Sequence, residues 1–424
     1  MAKCGWRKWA MVFLIILSVL SFPVNVNADQ PVGDYIIVAD DDIYQYDPKV
    51  TYNSQNRQYL VVYWNNRPGC DDIYAQLVRH DGSLINGYIA IAYGCDAERR
   101  HPDVAYNSID NEFLVVWESE IEGKVTIYGR RVSRDGELLG TSPSAISIID
   151  SPLTIGKPAV AYAYTDNKYL VVWLHKESTG AGDLVLGRII NPDGTTDDDS
   201  FTVEDVMGSS KDTPGVAYNR HANRFLVVWA HQTWADPVWE IRGQQVHGSG
   251  GLYGIPISIV KIAGKDCKNP SVAAIPTAST DDKFLIVWEY WWDSIPSDID
   301  IRARMMSEEG DLQSILAVSN SLDIEGYPRV AGSEANKKFL VTWSNAMTIG
   351  LWGRYISDTG DFLSDPINSG SPGAVPGTGD VAAGPVGDFL AVWSDDLMHD
   401  DELEYADVFG QLFGSRAYLP LALH

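Results

Sequence analysis

The sequence predicts an all-β fold, a seven-bladed β-propeller of four-stranded antiparallel blades. Three observations carry this. One unit recurs seven times at a spacing in the fifties, each unit holds four short β-type runs, and the two ends of the chain supply the parts of a single blade. A fixed period of this length is the signature of a repeat architecture, and four strands per period is the signature of propeller blades.

The repeat begins with a proline and ends in an apolar run. It reads PKVTYNSQNRQYLVVY from Pro48, PDVAYNSIDNEFLVVW from Pro102, PAVAYAYTDNKYLVVW from Pro158 and PGVAYNRHANRFLVVW from Pro214. Pro270 to Trp288 carries a three-residue insertion, Pro328 to Trp343 returns to the standard length, and Gly379 to Trp393 is one residue shorter. The prolines at 48, 102, 158, 214, 270 and 328 lie 54 to 58 residues apart. A second block follows each time, as IYAQLVRHDG at Ile73, IYGRRVSRDG at Ile127, VLGRIINPDG at Val185 and LWGRYISDTG at Leu351. A third block, such as Ala145-Ile146-Ser147-Ile148, closes the unit.

These blocks are rich in Val, Ile, Tyr, Phe and Trp and are separated by Asn, Asp and Gly, which reads as strands and turns. The run Leu-Val-Val-Trp is apolar on consecutive residues. A strand does this when both faces of its sheet are covered, as when each blade is packed between two neighbours. The last unit ends at Phe413-Gly414, after its third strand. Asp34 to Ala39 matches the missing fourth in character, so the N-terminal strand is expected to close the ring, with Tyr418-Leu419-Pro420-Leu421 as the competing candidate. Closure removes exposed sheet edges.

Residues 1–28 read as a signal peptide. Lys3, Arg7 and Lys8 precede an apolar stretch from Ala10 to Leu20, and Val26-Asn27-Ala28 supplies small residues for cleavage. The domain reading is then a signal peptide at 1–28, one propeller at 29–415 and a short tail at 416–424, in a protein that is secreted or held at the cell surface. The chain has a net charge of -25; without the three signal-peptide bases, 29 basic residues face 57 acidic ones, or −28. That sign excludes a nucleic-acid backbone or an anionic membrane as partner and favours a soluble monomer.

Cys4 leaves with the signal peptide. Cys70 falls in the second-to-third-strand loop of unit one and Cys95 in the link to unit two; both loops emerge on one face, so a Cys70–Cys95 disulfide is expected. Cys267, in a link several blades away, is expected to be unpaired. No cofactor is implied; the negative charge leaves room for calcium, which no motif indicates. The acidic runs at Asp40-Asp41-Asp42, Asp197-Asp198-Asp199 and Asp400-Asp401-Glu402 do not follow the calcium-loop pattern, and no metal ligand set is read. Phosphate-loop, nucleophile-elbow and His-Glu-x-x-His motifs are absent from the sequence, so no catalytic residue is assigned.

The Trp residues at 117, 173, 229, 288, 343 and 393 occupy one repeat position and read as packing between blades. The repeated Gly-Arg pairs at Gly129-Arg130, Gly187-Arg188 and Gly353-Arg354 read as structural too. Aromatics outside the repeat are the candidate ligand-binding residues: Trp234 and Trp239 in unit four, and Tyr290, Trp291 and Trp292 in unit five. They fall in adjacent second-to-third-strand loops with Asp236, Glu240, Glu289 and Asp293 nearby. Such clusters stack on sugar rings or anchor partner side chains; mutual burial under long loops is the other reading.

The pattern FLVVW…IYGRRVSRDG…AISI resembles repeats of secreted bacterial β-propeller proteins, many of them uncharacterised, over roughly residues 34 to 415. The resemblance implies a fold and no activity. The chain lacks the Ser-x-Asp-x-Gly-x-Thr-Trp box of bacterial sialidases, so their arginine triad does not carry over. The expected function is a non-catalytic extracellular binding propeller that takes a glycan or a protein through one face. The alternatives are a secreted glycan-active hydrolase or lyase with carboxylates at the ring centre, and a structural cell-surface protein.

Overall fold

A computed structural model describes residues 30–39, 43–67, 70–140, 146–150, 154–176, 182–196, 199–276, 282–292, 298–347, 350–370, 376–399 and 402–414. The signal-peptide and tail assignments lie outside these residues. The described chain is all strand and turn, folded into seven antiparallel sheets. Blade 1 holds Tyr44–Asn53, Gln58–Arg67, Cys70–Arg79 and Leu84–Ala92, from the ring centre outward. Blades 2 to 6 repeat this order, with innermost strands Glu98–Asn107, Thr154–Ala163, Ser209–Asn219, Asp266–Ala274 and Glu325–Ser333. Blade 7 runs Pro376–Ala383, Phe389–His399 and Glu402–Gly414, and its outermost strand is Gln30–Ala39 from the N-terminus. Gln30 pairs with Gly414 and Ala39 with Val408, so the ring closes as the sequence predicts. Each innermost strand touches the innermost strands of both neighbouring blades, blade 7 against blade 1 included.

Seven apolar clusters fill the seven gaps between blades. Phe113 to Val116 are fully buried on consecutive positions, because one face of the strand meets the blade before and the other the blade after. The Trp at the end of this run is buried in blades 2 to 7. In blade 1 its place is taken by Tyr63, which pairs with Tyr74 across the sheet as Trp117 pairs with Tyr128. The Gly-Arg pair stitches blades together. A Cβ at Gly129 or Gly187 would crowd the Ile148 or Phe201 side chain of the outermost strand. The arginine that follows reaches the blade before: Arg188 donates to the Ile148 carbonyl at 2.7 Å and Arg354 to the Val318 carbonyl at 2.8 Å.

Every innermost strand carries a β-bulge here, at the repeated proline in blades 1 to 6 and at Gly379 in blade 7, with register shifts from Tyr46 to Lys49, Arg100 to Asp103 and onward to Pro376 and Gly379. Proline has no N–H to donate, and a bulge is where a strand needs none. The residue before the proline is left-handed in six blades: Asp47, His101, Lys157, Thr213, Asn269 and Tyr327, with φ between 43° and 53°. None is glycine, and each costs of order 1 kcal/mol or more that the ring must hold.

The innermost strands begin at one face, here the front, which also carries the second-to-third-strand loops and the links between blades. Cys70 and Cys95 meet there in a disulfide spanning 25 residues. Cys267 is not in a link but is the second residue of blade 5's innermost strand, fully buried and unpaired, paired across the sheet with Tyr290. The expected position is wrong because blade 5's strand starts earlier than its proline implies. Among the described residues no helix is long and apolar enough to cross a membrane.

Candidate functional site

The bulges shape the front of the central channel. The six left-handed residues rim it, and the residue after each repeated proline, or after Gly379 in blade 7, lines a chamber of about 300 Å³ just inside. Around the ring that position reads Lys49, Asp103, Ala159, Gly215, Ser271, Arg329 and Asp380. Seven equivalent positions are therefore split. Blades 6, 7, 1 and 2 present charges, while blades 3, 4 and 5 present small residues. Packing alone would favour similar residues at all seven, so the split makes this arc the candidate site.

Part of the charged arc is structural. Asp103 accepts the Val160 amide at 2.8 Å, Asp380 accepts the Val50 amide at 3.1 Å, and Arg329 donates to the Gly379 carbonyl at 2.9 Å. Each bond ties one innermost strand to the next. Lys49 differs: among the described residues its ammonium makes no hydrogen bond or ion pair, although Asp380, Asp103 and Asp47 act on it electrostatically. Burial first, then the Arg329 charge, lowers its pKa against those carboxylates.

Two neighbouring carboxyls behave oppositely. Burial pushes Asp103 up to about 6, helped by the Asp380 charge and opposed by Lys49. Burial also pushes on Asp47, but His101 overrides it through a 2.9 Å contact and its charge, and Thr378 and Lys49 add to this, so Asp47 is held well below the usual carboxylate range. Trp64 Nε1 donates to the same Asp47 oxygen at 3.2 Å. The site thus contains one firmly ionised carboxylate and one poised near neutrality. Perturbed groups of this kind concentrate at functional sites.

The front face beside the chamber carries two of the sequence-predicted aromatics. Lys268 lies over the Trp291 ring at 4.3 Å and the Trp239 ring at 5.8 Å, so the two indoles flank one ammonium. Lys268 also pairs with Asp266 at 3.1 Å. The buried Glu289 joins this platform to the rim. It accepts from Trp291 Nε1 at 3.0 Å, from Asn269 Nδ2 at 2.8 Å and from the Tyr327 amide at 2.9 Å. Asn269 and Tyr327 are rim residues of blades 5 and 6.

The other predicted residues are not part of this platform, although Trp239 also packs against the core cluster that holds Tyr290. Trp292 donates to Asp300 at 2.7 Å and stands edge-on to Tyr290 at 5.1 Å. Tyr290 itself is in the core between blades 4 and 5. Strand alternation explains this, since Tyr290 is two residues beyond the core Trp288 and shares its face, whereas Trp291 shares the face of Glu289. Trp234 is exposed and lies over Gly208, its amide bonded to the Gly208 carbonyl at 2.9 Å. Glu240 is buried against Ser258, Asp236 pairs with Lys261 at 2.9 Å, and Asp293 lies outside the described residues. Sequence reasoning missed the chamber. Stacking the seven repeats and reading the residue after each proline would have exposed the charged arc.

No family model and no curated protein matches the sequence. Solved structures match along the whole ring. A protein of unknown function from Dyadobacter fermentans is 11% identical, with 92% of this chain and 99% of that chain covered and a TM-score of 0.52. The polysaccharide lyase Uly1 is 8% identical over 91% of this chain and 92% of its own, at a TM-score of 0.53. An oligogalacturonate lyase in complex with manganese is 10% identical over 92% and 96%, at 0.51. At these identities the likeness is one of fold.

Proposed function

We propose that this protein is an extracellular glycan-binding propeller whose ligand lies across Trp239 and Trp291 on the front face and reaches toward the charged chamber. The observation that carries the reading is the Glu289 bridge. One buried carboxylate fixes both an indole of the platform and two elements of the channel rim, so platform and chamber form one preorganised surface. Indole faces take sugar rings, and paired charges around a small chamber take hydroxyls as donors and acceptors. Extracellular residence fits the Cys70–Cys95 bond, since such bonds persist in oxidising compartments. Two proteins of the same fold are named as lyases of polysaccharide and oligogalacturonate, which supports a sugar ligand by analogy of fold only.

The test is titration of the purified chain with a panel of neutral and acidic oligosaccharides, followed by tryptophan fluorescence. The reading requires a saturable response to at least one sugar and its weakening by tenfold or more in Trp291→Ala. A response unchanged in that variant, or none across the panel, overturns it. A second reading, catalysis, is favoured by Asp103, a carboxyl near neutrality deep in the chamber and able to give or take a proton. It requires release of reducing ends or unsaturated products by the wild type, and loss of that release in Asp103→Asn with sugar binding retained.

A further inference from the structure

The back of the channel breaks the repeat a second time, over different blades. The position two residues beyond the channel valine is Tyr52, Tyr106, Tyr162 and Tyr218 in blades 1 to 4, and Ala274, Gly332 and Ala383 in blades 5 to 7. All seven pair with an aromatic on the second strand, so the positions are equivalent in the sheet. Four consecutive tyrosines therefore form a crescent, and small residues leave the other side open. The result is a hollow of about 650 Å³ that meets the front chamber at Val104 and Val160, which line both. Its size is within the range of small-molecule sites.

The crescent is rigid. Tyr106, Tyr162 and Tyr218 donate to Asn111, Asn167 and Asn223 of their own hairpins at 3.0, 2.8 and 2.8 Å. Their protons are committed, so the rings offer faces, edges and acceptor lone pairs. At the rim, the Arg220 guanidinium stacks on the exposed Tyr164 ring, 4.0 Å from its centroid. Among the described residues Arg220 makes no hydrogen bond or ion pair. Stacking fixes the plane of a guanidinium and leaves its N–H edges free, the arrangement that receives a carboxylate through two parallel bonds.

The geometry points to a second binding site at the back of the channel for a carboxylate carried on a six-membered ring. The carboxylate pairs with Arg220 and the ring lies against the tyrosine crescent. A sugar acid and an aromatic acid share this chemistry. The site is independent of the front-face reading, and neither stands or falls with the other.

Calorimetric titration of the full chain carrying Trp291→Ala, which removes the front-face platform, with D-glucuronate, benzoate and D-glucose tests it. At least one of the two acids is expected to bind with millimolar or better affinity and D-glucose not to bind. Which acid binds names the source. In that background Arg220→Gln, which removes the guanidinium and keeps part of its aliphatic stem, is expected to weaken the acid at least tenfold, and Tyr164→Ala to weaken it less. Failure of both acids to bind, equal binding of D-glucose, or acid binding unaltered in Arg220→Gln overturns the site. Near-ultraviolet circular dichroism of each variant separates loss of binding from loss of fold.

Discussion

Asp103 and Asp47 sit in neighbouring blades around one chamber, and their surroundings drive them apart. Asp103 is raised to about 6 chiefly by burial, so its protonated form is favoured in the folded state. Its stabilising contribution is complete below about pH 4, where the unfolded carboxyl is also protonated, and disappears as pH rises through about 6. Asp47 is shifted down, so its contribution is present at neutral pH and is lost only in strong acid. Asp103→Asn is therefore expected to remove up to about 3 kcal/mol of the fall in stability between pH 4 and 7, as measured by denaturant unfolding at a series of pH values. An identical pH profile in the variant contradicts the assignment. The identities of these residues were legible in the repeat, but their direction was not. The bulge that turns them into the channel depends on left-handed residues such as Thr213 and Tyr327, which sequence preferences disfavour there.

At the level of elements, the hairpins were the most legible. Asn53 and Asn107 each cap the turn that follows by accepting two backbone amides, and the Asn-Ser strings of the repeat announce such turns. Their side chains also reach into the next blade, Asn53 to Asn111 at 2.9 Å and Asn107 to Asn167 at 3.0 Å, which a single repeat does not reveal. The start of the third strand of blade 1 is tied to the link into blade 2 by Cys70–Cys95, the pairing expected from the sequence, with Cys70 as the strand's first residue and not a loop residue. Replacing both cysteines by serine is expected to cost about 3 kcal/mol in unfolding free energy, measured by urea denaturation against wild type; no change means that this junction is held by the Arg99–Asp72 and Arg100–Asp71 pairs instead. The aromatic loops of blades 4 and 5 were legible as a neighbourhood only. Alternation within Lys283–Trp291 sends Tyr290 to the core and Trp291 outward, and that phase is fixed only once the register to Ile299–Ser307 is known.

Over the whole molecule, seven copies of one unit make a ring, and function is sought where the copies differ. The front chamber is charged in blades 6, 7, 1 and 2, and the back hollow is aromatic in blades 1 to 4. Closure holds both in place, because blade 7 borrows Gln30–Ala39 and so supports Asp380 against Lys49. Deleting residues 30–39 exposes the edge of Glu402–Gly414, and the expected outcome is a broadened unfolding transition with concentration-dependent association, seen by sedimentation velocity. A deletion variant that unfolds as cooperatively as the full chain and associates no more than it contradicts closure. The most direct measurement of the central claim is a crystal structure of the protein with the tightest oligosaccharide of the panel. The account expects a sugar ring on Trp291 beside Lys268, with the next unit directed over Asn269 toward Lys49. A ligand seated on a blade edge, or away from the channel rim, contradicts it.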